Sequence, residues 1–195
     1  MSIRIVVVLA SWLVALTAAA DIAPGNRLPD LVIAEKGELV ISDGEVGYKP
    51  WSYPQQPGKV HVMQYMAATR GASNINMPFT DKMKTDLPQG EFLSTTILNL
   101  DEAMWGTAGL VVSELKSNKL EFPKAVLVAD EDGEGLSKWK LESENSAVIV
   151  TDPQGVVRYF KQGAMSDAEI ESTLALIRGY LGDDTQAAAA ATGSP

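Results

Sequence analysis

The stretch KVHVMQYMAA, residues 59–68, constrains the fold more than any other. It is apolar and β-prone, and its one formal charge, Lys59, stands at its start. That is too little charge for a surface strand, so it is predicted to be a buried one. It runs into TRGASNINMP, a small-residue loop, after which Ile75, Phe79 and Met83 recur every four residues and predict a helix. EFLSTTILNL (91–100) reads as a second apolar strand. GTAGLVVSELKSNK (106–119) predicts another helix, opened by Thr107 as N-cap and closed before Pro123. KAVLVAD (124–130) is a third strand. Strands alternating with helices imply parallel pairing.

Hairpins flank this core. Leu31–Ala34 and Glu38–Ile41 predict one about Lys36-Gly37, followed by DGEVGYKPWSYPQQPG (43–58) as a loop whose Trp51 and Tyr53 seal an edge of the core. NSAVIVTDPQGVVRYFKQG (145–163) predicts a second, turning at Asp152–Gly155. The last helix has Ser166 and Glu169 as a capping box, Ile170, Leu174, Ile177 and Leu181 on one face, and Gly182 as its C′ residue. Beyond it, residues 183–195 have nothing to bury and are expected to form a disordered tail. The expectation is an α/β domain over residues 21–182, a mixed sheet with helices on both faces.

Residues 1–20 read as a cleaved secretory signal: Arg4, an apolar run over Ile5–Leu16, then Ala18-Ala19-Ala20 before Asp21. The apolar stretch is short of the roughly 20 residues a bilayer core requires. A periplasmic location follows as an expectation. Without the leader, 15 basic residues face 25 acidic ones, which disfavours nucleic acid and anionic membranes as partners. The sequence contains no cysteine, which excludes thiol–disulfide exchange and thiolate nucleophiles.

GKVHVMQYMAATRGASNINMP resembles the thioredoxin-like pattern of lysine, apolar strand, aromatic and alanine before Cys-x-x-Cys opens a helix. Aligned without a gap, the two cysteine positions fall on Arg70 and Ser73. Pro78, five residues on, matches that family's helix-kinking proline. PGNRLPDL and SAVIVTDPQGVV resemble segments of peroxiredoxin-type and membrane-anchored thioredoxin-type domains, and the cis-proline position of that pattern falls at or beside Ser146. GELVISD, YKPW, GKVHVMQY, ESENSAVIVTD and GAMSDAEIESTLALI resemble the YtfJ family over about Gly25–Leu181. The resemblance implies an exported thioredoxin-like fold lacking the redox pair, and it implies no reaction.

A helix starting near Gly71 would direct free N–H groups at an anion, joined by the Arg70 guanidinium and the Thr69 and Ser73 hydroxyls. Asp101, past the second strand, would lie on the same side, with Trp105 near it and Ser146 at the lost cis-proline. The plain structural alternatives stay open: Ser73 as a cap, Arg70 exposed or paired with Asp101, Trp105 in the core. His61, the one histidine, reads as a strand residue and not a catalytic base. Asp130, Asp132, Glu134 and Gly135 imitate the start of a calcium loop, but Leu141 stands where the bidentate glutamate belongs. No catalytic residue, metal ligand or cofactor is therefore assigned. Two functions remain: a binding or adaptor module for a periplasmic protein or peptide, and a non-thiol enzyme or sensor for a small anion at Arg70.

Overall fold

The computed structural model describes residues 21–192, with side chains as far as Gly182, so the predicted leader over residues 1–20 lies outside the described residues. Strands β1 (Leu31–Ser42), β2 (Glu45–Tyr53), β3 (His61–Ala67), β4 (Leu93–Asn99), β5 (Val126–Asp130), β6 (Ser146–Thr151) and β7 (Val157–Gln162) form one seven-stranded sheet in the order β2-β1-β5-β4-β3-β6-β7. β3, β4 and β5 are parallel, and the remaining pairs are antiparallel. β3 is central and buried along its whole length, as its composition requires.

Five helices cover the sheet: α1 (Arg70–Ile75), α2 (Met77–Asp86), α3 (Ala108–Glu121), α4 (Glu134–Trp139) and α5 (Asp167–Thr192). The strand residues alternate between the two faces. Val62, Val148 and Val150 pack with Phe79 and Met83 of α2 and with Ile170, Leu174 and Ile177 of α5. Ala129 packs with Leu115 of α3 on that same face. Met63, Tyr65, Ile97 and Val128 turn the other way, onto Trp51, Trp139 of α4 and the N-terminal Ile22 and Leu28. Two steps in one direction, β3 to β4 to β5, with one crossover hand put α2 and α3 on one face. The chain then returns by α4 across the opposite face to reach β6.

The first hairpin does not turn at Lys36-Gly37. Both residues have positive φ (58° and 74°), but they form a bulge inside β1, where the register shifts between Ile33 and Glu38. A Cβ on Gly37 would run into the Lys49 carbonyl and lie 2.9 Å from the Trp51 nitrogen, so only glycine lets β2 approach. The turn is Asp43-Gly44 (φ 53° and 82°), whose two left-handed residues match the twist of a tight hairpin. Residues 45–53, expected as loop, are therefore strand β2, and Trp51 and Tyr53 are buried on it.

Two helix details also differ. The helix after β3 breaks at Asn76, and Pro78 stands in the first turn of α2, where its missing N–H costs nothing. It begins a helix where a kink was expected. Thr107 occupies the N-cap position of α3, but its hydroxyl donates to the Met104 carbonyl at 2.7 Å and caps nothing. The capping box of α5 is present: Ser166 N donates to Glu169 Oε2 at 2.8 Å, and Glu169 N donates to Ser166 Oγ at 3.3 Å. These bonds, with Lys161, hold the Glu169 carboxyl at about 2. α5 does not end at Gly182; its backbone stays helical to Thr192, since an alanine run has the highest helix propensity even with nothing to bury.

Candidate binding cleft and a closed polar end

At the carboxyl end of β3, Thr69 takes extended geometry as the N-cap of α1, and its Oγ1 accepts the Ala72 N–H at 3.2 Å. Ser73 Oγ donates to the Thr69 carbonyl at 2.5 Å. Both hydroxyls are thus spent on the local backbone. Arg70 is exposed and forms no ion pair among the described residues.

Thr69, Arg70 and Ser73 come together on the rim of a cleft of about 680 Å³ between α1 and α3. Its lining is mainly apolar, from Met66, Ala68, Leu98, Leu115 and Leu127, with Val111 on the α3 wall, and Thr96 and Asn118 add polar groups. Met104 and Leu110 also line it and remain 69% and 73% exposed. Trp105, between them in sequence, does not line the cleft and is fully exposed. This apolar mouth was missed by reading the sequence, although one signal was visible: from Ala103 to Ser113 no residue carries a charge.

Asp101 and Ser146 stand outside the cleft. Asp101 takes the Asn99 side chain (Oδ1) on its N–H at 3.1 Å, and its Cβ is 3.6 Å from where a Gly133 side chain would begin, beside α4. It is not paired with Arg70. Ser146 is buried, and its Oγ accepts from Asn76 Nδ2 at 3.3 Å. That same amide donates to the Gly163 carbonyl at 3.2 Å and accepts the Met165 N–H at 3.1 Å. Asn76 therefore ties the α1–α2 break to β6 and to the start of α5. Glu102 does similar work: its Oε1 accepts from Ser143 Oγ and Glu144 N, each at 2.6 Å, and its Oε2 accepts from Asn99 Nδ2 at 2.9 Å. These bonds tie the loop before β6, where the cis-proline of the resembling pattern would fall, to the end of β4 and the segment after it.

Asp130 is fully buried and serves α4. Its carboxylate accepts the Glu134 and Gly135 N–H groups at 2.9 and 2.8 Å and the Tyr65 hydroxyl at 2.8 Å. Leu136 N donates to that hydroxyl at 2.9 Å. Burial, and then the Asp130 charge, push the Tyr65 phenol well above its ordinary range. The first ligand position of the imitated calcium loop is thus a helix-capping carboxylate. Among the described residues no three histidine or carboxylate side chains could hold a metal ion.

His61 is buried with Nε2 2.8 Å from Thr95 Oγ1, and burial lowers its pKa to about 4. It starts the strand whose far end carries the loop, about 20 Å away at the usual rise per residue. Ser73 and His61 cannot form a nucleophile–base pair across that distance. Among the described residues no helix is long and apolar enough to cross a membrane.

The profile of a family described as a bacterial protein of unknown function, YtfJ_HI0045, matches residues 22–180. A relative in Escherichia coli K12, the uncharacterized protein YtfJ, is 34% identical over 93% of this chain and all of its own length. An uncharacterized protein of Haemophilus influenzae is 33% identical over 79% of this chain and 84% of its own. Among solved structures, a candidate thiol:disulfide interchange protein, DsbE, from Chlorobium tepidum superposes with a TM-score of 0.55 at 15% identity, over 83% of this chain and 99% of that one. At that identity the likeness establishes the thioredoxin-like fold alone.

Proposed function

The chain belongs to the YtfJ family of bacterial proteins and has a thioredoxin-like fold without cysteine, and from that premise we propose that it is an exported binding module. The cleft between α1 and α3 is its docking surface, and the occupant is a polypeptide segment with apolar side chains and an acidic group for Arg70. The observation that carries this reading is the apolar cleft itself, left open beside an unpaired arginine in an otherwise well-packed domain. Export rests on the apolar run and small-x-small site before Asp21. A mature N-terminus other than Asp21 would remove that part of the proposal.

Binding is favoured over catalysis by what surrounds the loop. The Thr69 and Ser73 hydroxyls bond to the backbone of their own turn, and His61, the one histidine, stands at the far end of β3. A sensor or enzyme for a small anion would rest on Arg70, Thr69 and Ser73 alone, since Asp101 and Ser146 do not line the cleft.

Backbone amide shifts test the reading, with a short peptide of leucine, phenylalanine and aspartate as probe. Saturable shifts are expected over residues 66–74 and 104–115, and their loss in Leu110→Asp. Amides that stay still at millimolar peptide would retire it.

A further inference from the structure

We infer that the occupant of the cleft is a second copy of this chain, with Trp105 of each copy seated in the cleft of the other. This rests on the reading of the cleft as a docking surface, and three observations extend it. The first is shape. Trp105 is fully exposed and does not line the cleft, while Met104 before it and Leu110 after it in sequence do line it. A surface with an exposed ring and an apolar hollow is self-complementary about a two-fold axis, because each copy offers one of each. Tryptophan is the side chain most often found as the central anchor of an interface.

The second is charge. The chain carries a formal charge of −9, so two copies repel over most of their surface. The run Ala103–Ser113 carries no charge, which makes it a face on which two copies can approach. Only two charged side chains line the cleft, Arg70 on the α1 wall and Glu114 on the α3 wall. Neither is in an ion pair among the described residues. A two-fold arrangement brings the α1 wall of one copy to the α3 wall of the other, so that Arg70 meets the second copy's Glu114 twice over.

The third is extent. The largest exposed apolar patch on a typical monomer is about 300–600 Å². Two of that size bury about 600–1,200 Å², at or below the low end of a stable specific interface. The dimer is therefore weak and concentration-dependent, with monomers offering an open cleft when dilute.

Sedimentation velocity on the full-length gene product, purified as the cell matures it, reads this directly from micromolar to millimolar protein. Monomer is expected to give way to dimer. Trp105→Ala should weaken association by at least about 30-fold, the size of an anchor residue's loss. Arg70→Glu and Glu114→Arg should each weaken it about tenfold, the order of an interfacial charge reversal. The double reversal should return it to within a few-fold of the parent. Both charged residues are exposed and outside the core, so unchanged circular dichroism separates these effects from misfolding. A parent protein monomeric at every concentration overturns the inference, as does a double reversal no better than either single change. A monomer whose cleft amides still respond to the peptide probe overturns the dimer and leaves the docking surface standing; a monomer with silent amides removes both. A monomer whose Trp105 fluorescence shifts only on phosphatidylcholine vesicles overturns the dimer in favour of a lipid surface.

Discussion

On one face of strand β3, His61 and Tyr65 are held by Thr95 and Asp130 beneath α4 and the N-terminal segment. On the other face, Met66 and then Ala68 line a cleft of about 680 Å³. The same strand thus supports a closed polar face and an open apolar one. A polar atom buried without a partner costs about 1–3 kcal/mol, and the polar face avoids that cost for Tyr65 and His61 Nε2 but leaves His61 Nδ1 and Trp51 Nε1 without partners. An apolar hollow carries no such penalty beyond lost contacts, and it can be left for something else to fill. At the carboxyl ends of β3, β4 and β5, Asn76, Glu102 and Asp130 join separate segments by hydrogen bonds, and the open surface lies toward α3.

The largest expected effect tests how tightly the polar face is closed. A Cβ on Gly135 would overlap the Tyr65 ring, which its bonds to Asp130 and Leu136 hold in place. Gly135→Ala should cost roughly 3 kcal/mol, at the upper end for overpacking, read from the urea midpoint at unchanged slope. A loss below about 0.5 kcal/mol, the level of an ordinary surface change, would mean that face is looser than described.

Next comes the pH dependence of the same face. Burial lowers His61 from 6.5 to about 4, so between those values the unfolded chain binds the extra proton. Its contribution is complete above pH 6.5 and is lost as pH falls toward 4, for a total on the order of 3 kcal/mol. Glu169, lowered to about 2 from 4.5, contributes above 4.5 and loses its share only below that pH. Melting temperature followed from pH 6.5 to 4.5 therefore isolates the histidine. His61→Gln should flatten the slope there, and an equally steep variant would show that His61 is not the group responsible.

The smallest effect on stability belongs to the open face. Leu110→Asp and Arg70→Ala alter exposed side chains and should change unfolding free energy by less than about 0.5 kcal/mol, while Leu110→Asp abolishes peptide-induced shifts in the cleft. Destabilisation comparable with that of Gly135→Ala would erase the distinction between the two faces.

The parts of the fold legible in sequence were those whose causes are local. The buried run at β3, the turn at Asp152–Gly155 and the Ser166–Glu169 capping box each carry their signal within a few residues, and each is found. The first hairpin was misread because Lys36-Gly37 and Asp43-Gly44 both offer left-handed backbone. Only the pairing of β1 with β2 and β5 shows which one turns and which one bulges. Of the expected site, Thr69, Arg70 and Ser73 do meet, since they are neighbours on one turn. Asp101 and Ser146 were placed there by analogy with an open active-site end, and hydrogen bonds between distant segments have closed that end. Asn76 was not legible, because its partners Gly163 and Met165 lie 87 and 89 residues along the chain.

Sequence by itself determined the strand–helix order and the exclusion of thiol chemistry, because periodicity and the absence of cysteine need no knowledge of distance; the thioredoxin-like class and the family came from resemblance of its segments to known proteins. Tertiary structure alone decided that distant segments are tied together by hydrogen bonds at the polar end and that a cleft opens between α1 and α3 while Trp105 stays fully exposed. Both depend on which side chains from separate elements come within bonding or packing range, and range is set by the folded sheet and not by order along the chain.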